Sequence, residues 1–457
     1  MKELFMMMYK YSSRQHSILI DCVKYVINLI KKTNRDITAS VSVHYTSGIS
    51  LSVRSSIINT IEFNDDVTLS ITIFDNFKKI TVSSKNLSAL SLQSIVDSAI
   101  NIVQYVSSDE GHRLPNVNLL TSKVKDLKLY HPCNMSLTEV IKLTTDLEKI
   151  ALNSDVRIFN TEGSLFSSHI NLIIIGNTYD FINSYLTTLH SLSISVIASN
   201  KDSTESMERD CDYSIVREFN KLDNISSIGL TASKKAISRL NSKTLLTQKM
   251  SLLLSPELSA NFFSYFASAI HAANVYKKNT FLLNYLEKKI FPSWLSIVDD
   301  PHIEKGLGSK PFDLEGVQTK KCVIVDKGVL KTWLVDTYFG YKLGFISSGH
   351  SGGFHNWLIV GQSNLNLNDL LRYMYTGVYI TELMGDGVNL MTGTCSFGAV
   401  GFLVNCGKIQ YPINKITISG NLKDMGKNII VIGNNIDLRQ KIRCGSMLLS
   451  NVQISGQ

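Results

Sequence analysis

Val41-Ser42-Val43-His44-Tyr45-Thr46-Ser47-Gly48-Ile49-Ser50-Leu51-Ser52-Val53 alternates apolar and polar side chains. Val41, Val43 and Tyr45 share one face, and Ile49, Leu51 and Val53 continue the pattern after Gly48. A period of two is the signature of a strand with one face buried. Val67 to Phe74 and Lys79 to Val82 read as further strands. Upstream, residues 13 to 32 change period: Ile18, Cys22, Val26 and Ile30 recur at helical spacing. Downstream, Leu92, Ile95, Ala99 and Val103 predict a helix over 88–106. The beginning of the chain therefore reads helix, antiparallel strands, helix.

Residues 108–136 are polar, carry Pro115 and Pro132, and predict a linker. Leu137, Val140, Leu143, Leu147 and Ile150 form the stripe of a helix over 136–153. Residues 155–218 are strand-rich, with strands expected at 156–160, 164–177 and 185–197, and a helix follows over 222–240. Beyond 248 comes a short strand at Met250 to Leu254 and a helical stripe over 257–276. After Phe281, glycine-punctuated strands are expected at 322–326, 329–335, 357–361, 378–382, 399–405 and 408–411. The pattern predicts an α+β protein. An N-terminal α/β portion with an antiparallel sheet and flanking helices precedes a β-rich C-terminal domain, with boundaries expected at 1–110, 111–240 and 241–457.

The 457 residues are 44% hydrophobic and 18% charged, enough apolar material for true cores, which excludes wholesale disorder. The net charge is +8, with 35 lysines against 11 arginines, but the basic residues are scattered. The densest early tract, Lys24 to Arg35, is the polar side and end of a helix, and the abundance of Ile, Asn, Lys and Ser suggests drift in an AT-rich genome. No nucleic-acid partner is expected, because readers of nucleic acid concentrate their charge. No apolar run approaches a membrane span, and Met1 to Gln15 lacks the small-residue cleavage site of a signal peptide. Seven scattered cysteines without a CxxC suit free thiols in a reducing cytoplasm.

Catalytic spacings are scarce. There is no HExxH, P-loop or dinucleotide fingerprint, and Gly385-Asp386-Gly387 predicts only a turn. Gly349-His350-Ser351-Gly352-Gly353 matches G-x-S-x-G, but the strand expected after it is not the helix a nucleophile elbow requires. The plain alternative is a glycine-rich turn. His350 with His355, and Asp299, Asp300, His302 and Glu304, could supply metal ligands or fix loops; spacing alone does not make them converge. Cys444 is either a small buried residue or a thiol ligand.

An ordered set of short segments then resembles a known family. It runs through Asn160-Thr161-Glu162-Gly163-Ser164, Leu189-His190-Ser191-Leu192-Ser193, Met207-Glu208-Arg209-Asp210, Lys305-Gly306-Leu307 and Pro311-Phe312-Asp313. It continues through Gly349-His350, His355-Asn356-Trp357, Thr381-Glu382-Leu383-Met384-Gly385 and Ile418-Ser419-Gly420-Asn421. From about residue 15 to the end the chain resembles the TldD/PmbA family, historically called modulators of DNA gyrase. Within that family it is similar to the PmbA (TldE) branch.

The resemblance implies a subunit of a cytoplasmic, heteromeric metallopeptidase that cleaves unfolded or extended peptides. TldD-type subunits carry HExxxH on a helix and a later cysteine as metal ligands, with the glutamate as base on bound water. Here the matching helix carries Ser264, Tyr265 and Ala269 at those positions, with Cys444 near the cysteine. This implies no metal and no cofactor in this chain, and zinc in a TldD-type homologous partner. His350, His355, Asn356, Thr381, Glu382 and Gly385 are the expected substrate-cavity residues, and an exposed sheet edge is expected to take the extended peptide as an added strand. The competing expectation is a non-proteolytic peptide-binding homo-oligomer.

Overall fold

The alternating segment becomes one long strand, β1 (Thr38–Arg54), in the computed structural model, which describes residues 13–33, 36–200, 207–385 and 387–456. The N-terminal segment weighed as a leader (residues 1–12), Arg35 and Asp386 lie outside the described residues. β1 pairs along its whole length with β2 (Ile57–Asp75) on one side and with β4 (Ile158–Asn177) on the other. β3 (Lys78–Ser84), β5 (Ile182–Ser199) and β6 (Met207–Val216) complete an antiparallel sheet of order β3-β2-β1-β4-β5-β6.

One face of that sheet is apolar along its length, so helices cover it in two groups. α1 (Ser13–Lys31) and α2 (Ala89–Ile102) bury Val23, Val26, Val96 and Ala99 against Val41, Val43, Ile71 and Leu172. α3 (Leu137–Leu152) and α4 (Ile225–Ser238) bury Leu147, Ala151, Ala232 and Ala236 against Leu51, Val53, Phe166 and Ile194. The α3 start is fixed by a capping box, Ser136 with Glu139. Because β1 and β4 run under both helix groups, residues 38–84 and 158–216 share a single sheet. At the β1–β2 turn, Ser55 and Ser56 sit at φ 53° and 59°, the twist-compatible hairpin geometry. The buried Glu148 carboxylate of α3 holds it, accepting from Ser55 N at 2.8 Å, Ser56 N at 2.7 Å and Thr161 Oγ1 at 2.6 Å.

The expected linker 108–136 contains only one short 3-10 turn, Val117–Leu119. The C-terminal half begins with β7 (Gln248–Leu254) and α5 (Pro256–Ala269), capped by Ser255 with Pro256 in the first turn. The helical stripe expected over 257–276 breaks at Ile270 and His271, and a short α6 (Ala272–Tyr276) follows. β8 (Ser296–Asp299), β9 (Cys322–Asp326), β10 (Val329–Leu330), β11 (Trp357–Val360) and β16 (Ile442–Arg443) make a five-stranded sheet of order β10-β9-β8-β11-β16. The helices α7 (Thr337–Leu343) and α8 (Leu367–Met374) lie in the connections around it.

β12 (Gly377–Met384), β13 (Thr394–Asn405), β14 (Lys408–Asn421) and β17 (Met447–Ser455) join β7 in the third sheet. Its order is β14-β13-β12-β7-β17-β15, and pairing of β14 with β17 closes the first five strands into a barrel. α9 (Leu422–Lys427) and β15 (Ile429–Ile432) flank it. Phe262, Phe263 and Phe266 of α5 pack on Phe281 and Phe291 in one C-terminal core that includes the barrel residues Leu252, Ile380 and Leu449. The chain is α+β, with an antiparallel N-terminal sheet and a β-rich C-terminal region, as the periodicity predicts. No helix among the described residues is long and apolar enough to cross a membrane.

Candidate functional site

β6 is the outermost strand of the first sheet, and it faces the C-terminal half across a cavity of about 1530 Å³. Strand alternation sends Arg209, Cys211, Tyr213 and Ile215 toward this space, with Arg217 beyond the strand end. The opposite wall is the first half of α5, residues 379–383 of β12 and the segment 435–442.

The cavity is strongly charged, and most of its charges are paired. Arg239, 7% exposed at its side chain, bonds Asp210 of β6 at 2.7 Å and Glu382 of β12, so it ties the two halves together. Arg439 bonds Asp437 at 2.9 Å and Asp212 at 3.1 Å and stacks on the Tyr213 ring at 4.3 Å. Lys235 bonds Asp212 at 2.8 Å, and Arg209 bonds Glu162 at 3.1 Å. Burial pushes the carboxyls of Asp210 and Glu257 up from their ordinary values. Cations also cap the outer carbonyls of β6. Lys235 Nζ donates to Cys211 O at 3.3 Å and Arg439 Nη1 to Tyr213 O at 2.9 Å. These two carbonyls of the β6 edge are therefore already occupied.

The expected site residues divide. Thr381 and Glu382 line the cavity, as does Ser264. The Thr381 Oγ1 is buried without a hydrogen-bond partner. Gly385 closes β12 at φ 86° with open space around it. His350, His355 and Asn356 do not line the cavity; each is at most 2% exposed and locked in a polar network. Asp299 Oδ2 accepts from His350 Nε2 at 2.9 Å and His355 Nδ1 at 3.0 Å. Asn356 accepts from Gly308 N at 2.9 Å and donates to Asp300 O at 2.7 Å and Ser309 Oγ at 2.8 Å. The G-x-S-x-G segment is a turn: Ser351 N donates to Asp313, and a strand follows, so no elbow forms. The turn is built around the buried Asp299, which accepts from the His350 ring, the His355 ring and His355 N, all in the one loop that precedes β11.

Candidate metal ligands lie at two places. Asp299, Cys322 and His350 bring ligand atoms within 4.8 Å of one another. However, His350 and Asp299 are already bonded to each other, and burial pushes the Cys322 thiol up to about 12. At the positions that the resemblance matches to the family's metal motif, Ser264 Oγ donates to Asn261 O at 2.7 Å, Tyr265 packs on Phe397 and Ala269 is fully buried. Cys444 is sealed in the core, where burial pushes its thiol up; it donates to Gly445 O at 3.3 Å. One alcohol, one phenol, one methyl and a protonated thiol do not suit zinc, which wants imidazole, thiolate or carboxylate.

Fold and site together define a class: a large α+β chain with a charged cleft between an antiparallel sheet and a barrel-containing domain. Three family models cover it: PmbA/TldA metallopeptidase domain 1 at residues 39–103, the central domain at 130–240 and the C-terminal domain at 247–456. The chain belongs to the TldD/PmbA metallopeptidase family. It is 44% identical to the Metalloprotease PmbA homolog of Buchnera aphidicola subsp. Acyrthosiphon pisum, covering 94% of this chain and 97% of that one. It is 41% identical to Metalloprotease PmbA of Escherichia coli O157:H7, over 97% of both. A crystal structure from Bacteroides thetaiotaomicron, which carries the modulator of DNA gyrase name, matches with a TM-score of 0.90 at 25% identity, covering 96% and 98%.

Proposed function

We propose that this chain is the PmbA/TldE-like, non-metal subunit of a cytoplasmic heteromeric peptidase that cleaves unfolded or extended peptides. In this reading a homologous TldD-type subunit supplies the catalytic zinc. The observation that carries it is the position of Ser264. Ser264, which the resemblance matches to a metal ligand of the family's motif, lines the cavity, while Tyr265 packs on Phe397 and Ala269 offers only a methyl. The substrate-facing space is thus kept while the donor set is lost. A cleft of this size suits a length of chain better than a small metabolite, whose sites run to about 1,000 Å³. Because two carbonyls of the β6 edge are already capped, the peptide is held by cavity side chains more than by pairing with that strand. Seven free cysteines suit a reducing compartment.

Co-expression with a TldD-type subunit tests the reading. Co-purification, with peptidase activity only in the pair, supports it. A stable homo-oligomer that binds peptides and ignores the TldD-type subunit overturns it in favour of a non-proteolytic peptide binder.

A further inference from the structure

Four of the cavity's cations are matched with carboxylates, and two are not. Arg209, Lys235, Arg239 and Arg439 each have an ion-pair partner within 3.1 Å. Arg217 and Lys441 line the same cavity and have none among the described residues. Lys310, mostly buried, is close enough to feel both charges and is likewise without a carboxylate at ion-pair distance. Arg217 is held by two carbonyls, Thr188 O at 3.0 Å and Leu307 O at 2.8 Å, and its Nε is buried with no acceptor. The carboxylate that acts on Lys310, Asp313, is spent on three backbone donors: Glu315 N at 2.9 Å, Val317 N at 2.9 Å and Ser351 N at 3.0 Å.

Clustered, buried and unpaired cations are costly unless something compensates them. Burial lowers the pKa of all three, and for Lys310 and Lys441 their mutual repulsion or that of Arg217 adds to it. A fold that tolerates this arrangement while pairing every other cavity cation has left room for an anion to arrive from outside.

We propose that Arg217 and Lys441, with Lys310 adding its charge from outside the cavity lining, form a subsite that binds a carboxylate of the extended peptide. The inference rests on the peptide reading above and adds to it a chemical preference and a polarity. The guanidinium of Arg217 and the ammonium of Lys441 line the cavity and supply charge-assisted donors to a carboxylate. Where that carboxylate is the chain terminus, the peptide's C-terminal end lies toward Arg217 and the rest of the chain runs toward the paired charges around Arg239.

The test is fluorescence anisotropy with the full chain, alone and in complex with a TldD-type subunit. The probes are a labelled, unstructured Ala/Ser/Gly decapeptide with a free C-terminus, its C-terminally amidated twin, and the amidated peptide with a penultimate Glu. At least one carboxylate-bearing peptide is expected to bind about tenfold tighter than the uncharged amide. Preference for the free C-terminus assigns the chain terminus, and preference for the Glu peptide assigns an acidic side chain. Lys441→Met is expected to erase that preference and to leave the unfolding midpoint unchanged or raised, since its Nζ forms no ion pair. Lys310→Met serves as the second variant. Equal binding of all three peptides overturns the subsite while the peptide reading stands. Persistence of the preference in Lys441→Met and Lys310→Met also overturns it. Absence of any peptide binding overturns both.

Discussion

Arg239→Met removes the cation that joins β6 to β12. The side chains of Arg239, Asp210 and Glu382 are 7%, 11% and 38% exposed. Deleting one partner of a buried pair costs about 3–5 kcal/mol, mostly through the charge left behind. Glu382 is exposed enough to rehydrate, so Asp210 carries most of the penalty, and the low end, about 3 kcal/mol, is expected. The sign with pH follows from Asp210, whose carboxyl burial already pushes up. A carboxyl raised in the folded state contributes stability below its unfolded value and loses it as pH rises through the folded value. The Arg239→Met deficit should therefore be larger at pH 8 than at pH 5. Urea denaturation followed by circular dichroism at both pH values measures it. Asp210→Asn in the Arg239→Met background should recover more than about 1 kcal/mol, because it discharges the orphan. A loss below about 1 kcal/mol for Arg239→Met, or no recovery in the double variant, would refute the claim that this pair is buried and bridging.

Other perturbations have equally definite outcomes. Burial pushes Glu315 up to about 7, so its protonated form is favoured in the fold and stability is lost as pH rises through that value. Glu315→Gln should gain up to about 3 kcal/mol at pH 8 and almost nothing at pH 4, read from denaturant midpoints. Glu148→Ala strips the acceptor from Ser55 N, Ser56 N and Thr161 Oγ1 and should cost roughly 3 kcal/mol, with amide exchange rising first at the β1–β2 turn. His355→Ala should lower stability by about 2 kcal/mol without changing peptide affinity, because its ring bonds Asp299 in the core; weakened peptide binding at full stability would place it at the substrate. Cys444 should resist alkylation in the folded chain while the exposed Cys211 and Cys406 react.

The period of two in Val41 to Val53 was enough to find β1, and helical spacing located α1 to α4 closely. The sequence segments suggested less than the full length of β2. Its first half, Ile57 to Asp66, is largely exposed, so no buried face imposes alternation there. It also did not reveal that β1 and β4 extend under both helix pairs, because strand partners far apart in sequence leave no local trace. Thr381 and Glu382 could be placed at the cavity by resemblance. His350, His355 and Asn356 were drawn there by the same argument, but their polarity serves a buried carboxylate, Asp299, whose place in the fold sequence cannot display.

Arg209 and Asp210 were quoted only as part of a family segment, and Arg217, Arg239 and Arg439 not at all, because the cavity draws them from three segments far apart in sequence. A compositional signal was nevertheless present. In a chain with 35 lysines and 11 arginines, four of the 11 arginines line this one cavity. Arginine is kept where a planar, bidentate donor cannot be replaced by lysine.

The central claim is that this chain forms a peptidase site only with a metal-bearing partner. The most direct test is metal analysis and peptidase assay of the purified chain, alone and co-purified with a TldD-type subunit, using an unfolded peptide as substrate. No stoichiometric zinc and no cleavage are expected for the chain alone, with both appearing in the pair and the zinc assigned to the partner. Tightly bound zinc and cleavage by the isolated chain would contradict it.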